Sequence, residues 1–250
     1  MRIDIMTLFP DAIEAMMGQS IIGRAQARGH VQIVAHQIRD YTTNKQMQVD
    51  DYPYGGGRGA VMQADPLYRC WQHICDEAGE RVHTIYMSPC GKTFTQADAI
   101  RLSQMENLVL VCGHYEGIDQ RFIDECVDEE ISLGDFVLTG GEIAAMAVTD
   151  AVCRMVPGVL ADPECFEDES HYSGMLEYPQ YTRPAVWHER EVPAILLSGN
   201  HAKVAQWRRK QALRRTRARR PDMYEKLDLS SKQDKKLLKE MAEEDAAAEE

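Results

Sequence analysis

The sequence predicts an α/β fold with a mainly parallel sheet, followed by a smaller helical segment that is strongly basic. Three observations lead there. Strand-like and helix-like stretches alternate over the first 160 residues. Two of the strands, "TIYM" and "LVLVC", are continuous apolar runs, as expected of strands covered on both faces. Glycine and proline gather directly after strands, at the carboxyl edge where sheets of this kind bind ligands.

Each element has its own signal. "RIDIMTLFP" (2–10) alternates and ends at Pro10, which predicts a strand. "DAIEAMMGQSIIGRAQARG" (11–29) predicts one or two short helices closed by Gly29, and "VQIVAH" (31–36) a second strand. "DDYPYGGGRGAVM" (50–62) is too rich in Gly and Pro for regular structure and is expected to be a loop. A helix follows over 65–78, then a strand over 81–89 that is expected to stop at Pro89. "TQADAIRLSQME" (95–106) opens like a capping box, with Thr95 followed three residues on by Asp98. "NLVLVCGHYEG" (107–117) is a strand breaking into a glycine-bounded loop, and a short acidic helix comes next. "ISLGDFVLTGGE" (131–142) starts as a strand, passes Gly134, Gly140 and Gly141, and reaches a helix over 141–158. Three unusual loops, at 86–91, 112–117 and within 131–142, thus follow three strands and are expected to converge on one pocket.

After 160 the character changes. "ADPECFEDESHYSGM" (161–175) is acidic and aperiodic, the composition of a linker or lid. Residues 201–226 hold ten Lys and Arg against two acids, a local balance of +8 in a chain of net charge −12. Such a dipolar distribution steers a phosphate backbone to one place. With Trp207 interleaved and no base-reading motif, RNA is favoured over DNA. The last eleven residues contain six acids and no base, and predict a solvated helix end.

Other classes find no support. The seven cysteines show no C-x-x-C pair, so neither a zinc site nor a disulfide framework is predicted; reduced thiols in a cytoplasmic protein are expected. The amino-terminal segment does not have the form of a signal peptide, and no apolar run approaches the ~18 residues of a membrane span. Neither the dinucleotide fingerprint nor the phosphate-binding loop motif occurs. The acidic groups Asp50–Asp51 and 128–130 have the character of solvated faces rather than a magnesium cage.

Six motifs occur in order: "PYGGGRGAVM", "LVCGHYEGID", "SLGDFVLTGGE", "PGVL", "YPQYTRP" and "LLSGNH". Together they resemble the bacterial tRNA (guanine-N1)-methyltransferase family, from residue 1 to about 222. The resemblance implies a SPOUT-type parallel sheet with a deep trefoil knot, plus a small C-terminal helical domain. It implies a homodimer with active sites at the subunit interface, S-adenosyl-L-methionine as methyl donor, and tRNA as substrate, methylated on N1 of guanosine 37, 3′ of the anticodon. Magnesium is a possible further requirement in the family, without a readable protein site here. On that basis residues 1–160 are the knotted donor-binding domain, 161–175 a flexible lid, and 176–250 the tRNA-binding domain with an acidic tail. Neither a membrane nor DNA is expected as a partner. The alternatives are a SPOUT enzyme acting on ribosomal RNA and a non-catalytic RNA-binding protein of this fold.

The resemblance also assigns residues. The donor pocket is expected from Tyr86, Met87, Ser88, Pro89, Gly113, Tyr115, Glu116, Gly117, Ser132, Leu133, Gly134, Asp135, Phe136, Val137, Leu138, Gly140 and Gly141. Contacts to tRNA are expected from Arg183, Asn200, His201, Arg208, Lys210, Arg215, Arg219 and Arg220. Guanine N1 must lose a proton, so a carboxylate base is needed, and an Arg can stabilise the charge that moves to O6. The family places the base one residue before a Ser, usually as Asp in "EDS". Here "EDES" puts Glu169 before Ser170, with Asp168 the alternative if the lid shifts by one residue. The Arg corresponds to Arg154.

Overall fold

The structure, a computed structural model, describes residues 1–160, 166 and 169–249. It forms two compact units, Met1–Asp162 and Pro163–Glu250.

The first unit is a five-stranded sheet built from β1 (Arg2–Thr7), β2 (Gln32–Gln37), β5 (His83–Thr93), β6 (Asn107–Cys112) and β7 (Glu129–Ser132). Their order is β2-β1-β6-β5-β7, and every pairing is parallel. A two-residue antiparallel pair, β3 (Asp50–Asp51) and β4 (Val61–Met62), closes the glycine-rich loop. Period-two alternation sends successive strand residues to opposite faces, and each face carries its own apolar core. Ile3, Ile5, Leu108, Leu110 and Ile85 pack against α1 (Pro10–Met17), α2 (Ser20–Ala27), α4 (Gln96–Leu102) and α6 (Glu142–Arg154). Met6, Val109 and Val111 pack on the other side against α3 (Ala64–Ala78) and α5 (Gln120–Cys126). The predicted capping box is present: Thr95 accepts from Asp98 N, and the Asp98 carboxylate accepts from Thr95 N at 3.0 Å.

One charged side chain lies deep in this sheet. Asp4 is 1% exposed. It accepts three bonds from Arg2, at 2.8, 2.9 and 3.1 Å, and faces His36 Nε2 at 2.7 Å. A buried carboxylate is tolerated only with such partners.

β5 departs from expectation. It does not stop at Pro89 but runs to Thr93. Its register against β7 shifts between Met87 and Lys92, so both face Ile131. Residues 88–91 bulge out of the ladder, which removes the need for the amide hydrogen that proline lacks.

Among its described residues the second unit contains a small hairpin, β8 (Val186–Trp187) with β9 (Arg190–Glu191), and three α-helices, α7 (His201–Arg219), α8 (Pro221–Tyr224) and α9 (Lys232–Glu249). Its core is Met175, Ala212, Leu213, Leu237 and Met241. The acidic end is therefore not simply a solvated helix. Leu237 and Met241, one helical turn apart, seat α9 in the core, and Glu244 and Asp245 pair with arginines of α7.

Candidate active site

The three glycine-bounded loops meet. Gly141 N donates to Gly113 O at 2.9 Å, and His114 and Gly140 form an antiparallel bridge. With the β5 bulge they enclose a cleft of about 470 Å³ at the carboxyl ends of β5, β6 and β7. That size falls among small-molecule sites. Of the expected donor-pocket residues, all but Gly134 and Asp135 line it.

Gly134 acts through its conformation. Its φ of +154° turns the chain back after β7, so that Ser132 Oγ accepts from Gly134 N at 3.1 Å and Phe136 N donates to Gly134 O at 2.9 Å. This turn presents Phe136, Val137 and Leu138 to the cleft. Gly141 acts through its size: a Cβ there would lie 2.8 Å from Cys112 Cα, on the neighbouring loop's backbone. What presses on Gly141 is thus the protein itself, and the small side chain is what lets the two loops close.

Tyr86 forms one wall. Its ring is buried, and its hydroxyl lies where a side chain on Gly113 would be, 2.7 Å from the hypothetical Cβ. Burial, reinforced by the Glu130 charge, pushes the phenol up to about 12, so it stays a neutral O–H donor at physiological pH. Tyr115 takes φ +58°, a left-handed conformation rare for an aromatic residue, and its hydroxyl accepts from Arg39 Nη2 at 3.3 Å. Glu116 is anchored through its backbone, which donates to Ala60 O at 3.0 Å.

Several lining residues were not anticipated: Cys90, His114, Glu130, Ile131, Thr139 and Ala144, together with Ile118, Gln120 and Ile123. The first group sits beside anticipated positions and follows once the loops are known to converge. Gln120 and Ile123 belong to α5, which reaches the cleft only by tertiary packing and has no local signal. His114 is distinctive among them, because its Nδ1 is buried with no hydrogen-bond partner.

Arg154 is the last residue of α6, half-buried, where a cation complements the helix dipole. In the second unit Glu169 is half-buried, and its amide donates to Phe166 O at 3.2 Å. Ser170 Oγ beside it accepts from Glu177 N at 3.0 Å. Asp168 and Cys165 lie outside the described residues. The six other cysteines are free thiols, and of these only Cys90 is exposed.

The expected RNA-contact residues fall into different settings. Asn200 caps α7, accepting from Lys203 N at 3.1 Å. Arg183, His201 and Arg219 are exposed. Arg208 stacks 4.8 Å above the Tyr178 ring, and Arg215 donates to Glu177 O at 3.2 Å. Arg220 pairs with Asp222 at 2.7 Å, and Lys210 with Glu244 at 2.7 Å. Among the described residues no group of three or more His, Cys, Asp or Glu is placed to hold a metal, and no helix is long and apolar enough to cross a membrane.

A parallel α/β sheet with a cleft beyond its strand ends, in a chain whose second unit carries an arginine-rich helix, is compatible with the class of enzyme that acts on RNA with a small-molecule cosubstrate. Similarity to known proteins narrows this further. A family model described as tRNA (Guanine-1)-methyltransferase TrmD matches residues 1–226. The tRNA (guanine-N(1)-)-methyltransferase of Ruminiclostridium cellulolyticum is 52% identical over 227 residues, 91% of this chain and 97% of that protein. The proteins of the same description from Alkaliphilus oremlandii and Clostridium perfringens (strain 13 / Type A) are each 53% identical, over 93% and 96% of this chain and 95% and 99% of their own lengths. The chain belongs to the TrmD family of tRNA (guanine-1)-methyltransferases.

Proposed function

We propose that this chain is a tRNA (guanine-N1)-methyltransferase that modifies guanosine 37. The observation that carries the proposal is the cleft beyond the strand ends, in a chain of this family whose separate unit bears the basic helix.

The family implies S-adenosylmethionine as donor, and the cleft fits such a group. Its volume suits a nucleoside-sized ligand. The rim formed by Leu133, Phe136, Val137 and Leu138 offers apolar cover for a purine, while loop backbone offers polar edges. Glu116 and Glu130 supply negative charge for a cationic ligand, and His114 Nδ1 is a buried polar atom awaiting a partner. When bound, the donor supplies an electrophilic methyl group on its sulfonium.

The protein's own tasks are then few. Glu169 removes the N1 proton from guanine, and Arg154 stabilises the charge that develops on O6. Asp168 is the alternative base. The knotted topology and a homodimer with composite sites belong to the same proposal. If Arg154 and Glu169 serve one site from two subunits, mixing Arg154→Ala with Glu169→Gln protein restores part of the activity. Verified but inactive heterodimers mean that one subunit supplies both.

The central test is incubation with labelled donor and an unmodified tRNA transcript carrying guanosine at position 37. Nucleoside mass analysis should find 1-methylguanosine at that position. Methylation elsewhere, or none, overturns the assignment.

A further inference from the structure

The cations of α7 divide into two faces. Arg209 pairs with Asp234 at 3.0 Å, Lys210 with Glu244 at 2.7 Å, Arg214 with Glu244 at 2.8 Å and Asp245 at 3.2 Å, and Arg217 with Asp245 at 2.6 Å. All four are thus engaged by carboxylates of α9, beside the apolar seam of Leu213, Leu237 and Met241. Arg208, Arg215 and Arg219 lie at spacings of seven and four residues, which at about 3.6 residues per turn makes one stripe on a different side of the helix. None of these three is paired with a carboxylate of α9 among the described residues. Arg208 and Arg219 are exposed. Arg208 lies over the Tyr178 ring, and Arg215 is held by the Glu177 carbonyl.

The α9 carboxylates do to one face of α7 what a phosphate backbone does to a basic helix. They place anions in a row at hydrogen-bond distance from successive cations. The family match ends at residue 226, before α9 begins. We propose that α9 is an internal competitor for RNA phosphates: it closes the Lys210–Arg214–Arg217 face, confines tRNA to the Arg208–Arg215–Arg219 stripe, and so limits how tightly the protein holds any RNA backbone. This inference rests on the reading of tRNA as substrate. It removes Lys210 from the RNA-contact surface while α9 is docked.

The mechanism makes a directional statement about salt. Each cation that neutralises a phosphate releases counterions and adds roughly 0.7–0.9 to the slope of log affinity against log salt. Freeing Lys210, Arg214 and Arg217 therefore makes binding tighter and more salt-dependent. A net-charge effect alone would not depend on which carboxylates are removed.

The test is equilibrium binding of unmodified tRNA to the full-length protein across a salt series. In Glu240→Gln/Glu244→Gln/Asp245→Asn the apolar seam is intact. Its affinity should rise about tenfold at low salt and its slope steepen by about 2–3 when all three freed cations meet phosphates. Glu189→Gln/Glu191→Gln/Glu243→Gln changes the net charge equally, away from the α7–α9 contacts, and should move affinity less than about threefold. Equal gains in the two triples, or no gain in the first, overturn the proposal. A second pair of variants decides the matter even if the first triple fails to fold. Arg208→Gln/Arg219→Gln should weaken tRNA binding at least about tenfold, and Arg214→Gln/Arg217→Gln less than about twofold. Equal losses overturn the division into faces but leave tRNA binding by this helix standing. If neither variant weakens binding, both the inference and the RNA assignment of α7 fail.

Discussion

The two units are held together by different forces. The first has an apolar core on each face of a parallel sheet, and its deepest charge, Asp4, is satisfied by Arg2 and His36. The second has, among its described residues, five buried apolar side chains and a row of partly exposed ion pairs between α7 and α9. The difference matches what the proposed function asks of each. A cleft formed largely by loop backbone needs strand ends that do not shift, and two-sided apolar packing gives that stiffness. A surface that meets a polyanion needs cations near water, and those cannot be buried cheaply. Ion pairs of this kind are individually weak and screened by salt. On the proposed reading, small-molecule chemistry falls to the unit with the two-sided apolar core and charge recognition to the unit with the exposed cations.

The largest expected effect breaks chemistry without breaking either unit. Glu169→Gln should keep donor and tRNA binding yet lose about 10²–10⁴-fold in single-turnover rate. Glu169→Asp should be milder, since it restores the carboxylate typical of the family, and Asp168→Asn should be close to wild type. A dead Asp168→Asn beside an active Glu169→Gln moves the base by one residue.

Next comes the rigidity of the cleft. Gly141→Val puts a branched side chain where a Cβ alone would be 2.8 Å from Cys112 Cα. Donor affinity measured by calorimetry should fall by at least ~10²-fold, as expected when loops bearing a site are displaced by about an ångström. Arg208→Gln/Arg219→Gln, in the other unit, should leave donor affinity unchanged. Loss of donor binding in both variants would mean that the units do not divide the work in this way.

The contrast in stability follows. Arg2→Met leaves the Asp4 carboxylate buried with His36 as its remaining side-chain partner and should cost on the order of 3 kcal/mol in denaturant unfolding. Glu244→Gln removes two partly exposed ion pairs and should cost under about 1 kcal/mol. Similar losses would remove the contrast between a core held by burial and a pair of helices trimmed by charge.

How much of this was legible depended on whether the signal was local. β6 announced itself because its apolar run is continuous, and α4 because Thr95 and Asp98 bracket its first turn. The convergence of the three loops followed from the parallel order alone. β5 did not, since a proline reads as a stop unless a bulge lifts it out of the ladder, and the bulge shows only in the pairing of β5 with β7. Ile123 and Gln120 entered the cleft through packing that leaves no trace in spacing. α9 was legible only in part. The last eleven residues of the chain are acidic and largely exposed as expected, but Met241 with Leu237 fixes the helix against α7, and the complementary charges lie some thirty residues earlier in the chain.

The smallest expected effect is also the one most specific to the charged unit. The Lys210 ammonium holds the Glu244 carboxyl below its usual range, and Arg217 does the same for Asp245. For Asp234, burial pushes upward, but bonds from Arg209 and Ser231 outweigh it and the net shift is down. A carboxyl whose folded value is depressed contributes stability that is fully present above its unfolded value, near pH 4, and is lost as pH falls through the lower folded value. The α7–α9 contact should therefore be unchanged from pH 8 to about 5 and weaken below about pH 4. Hydrogen exchange corrected for intrinsic rates should show α9 amides losing protection between pH 5 and pH 3, the direction set by the three lowered carboxyls. Amides of β6, buried in apolar surroundings, should keep theirs. High salt at pH 7 should reproduce part of the α9 loss, because it screens the same pairs. If α9 and β6 lost protection together, the helix pair would be no more dependent on charge than the sheet. If α9 kept its protection at pH 3, Leu237 and Met241 alone would be holding it.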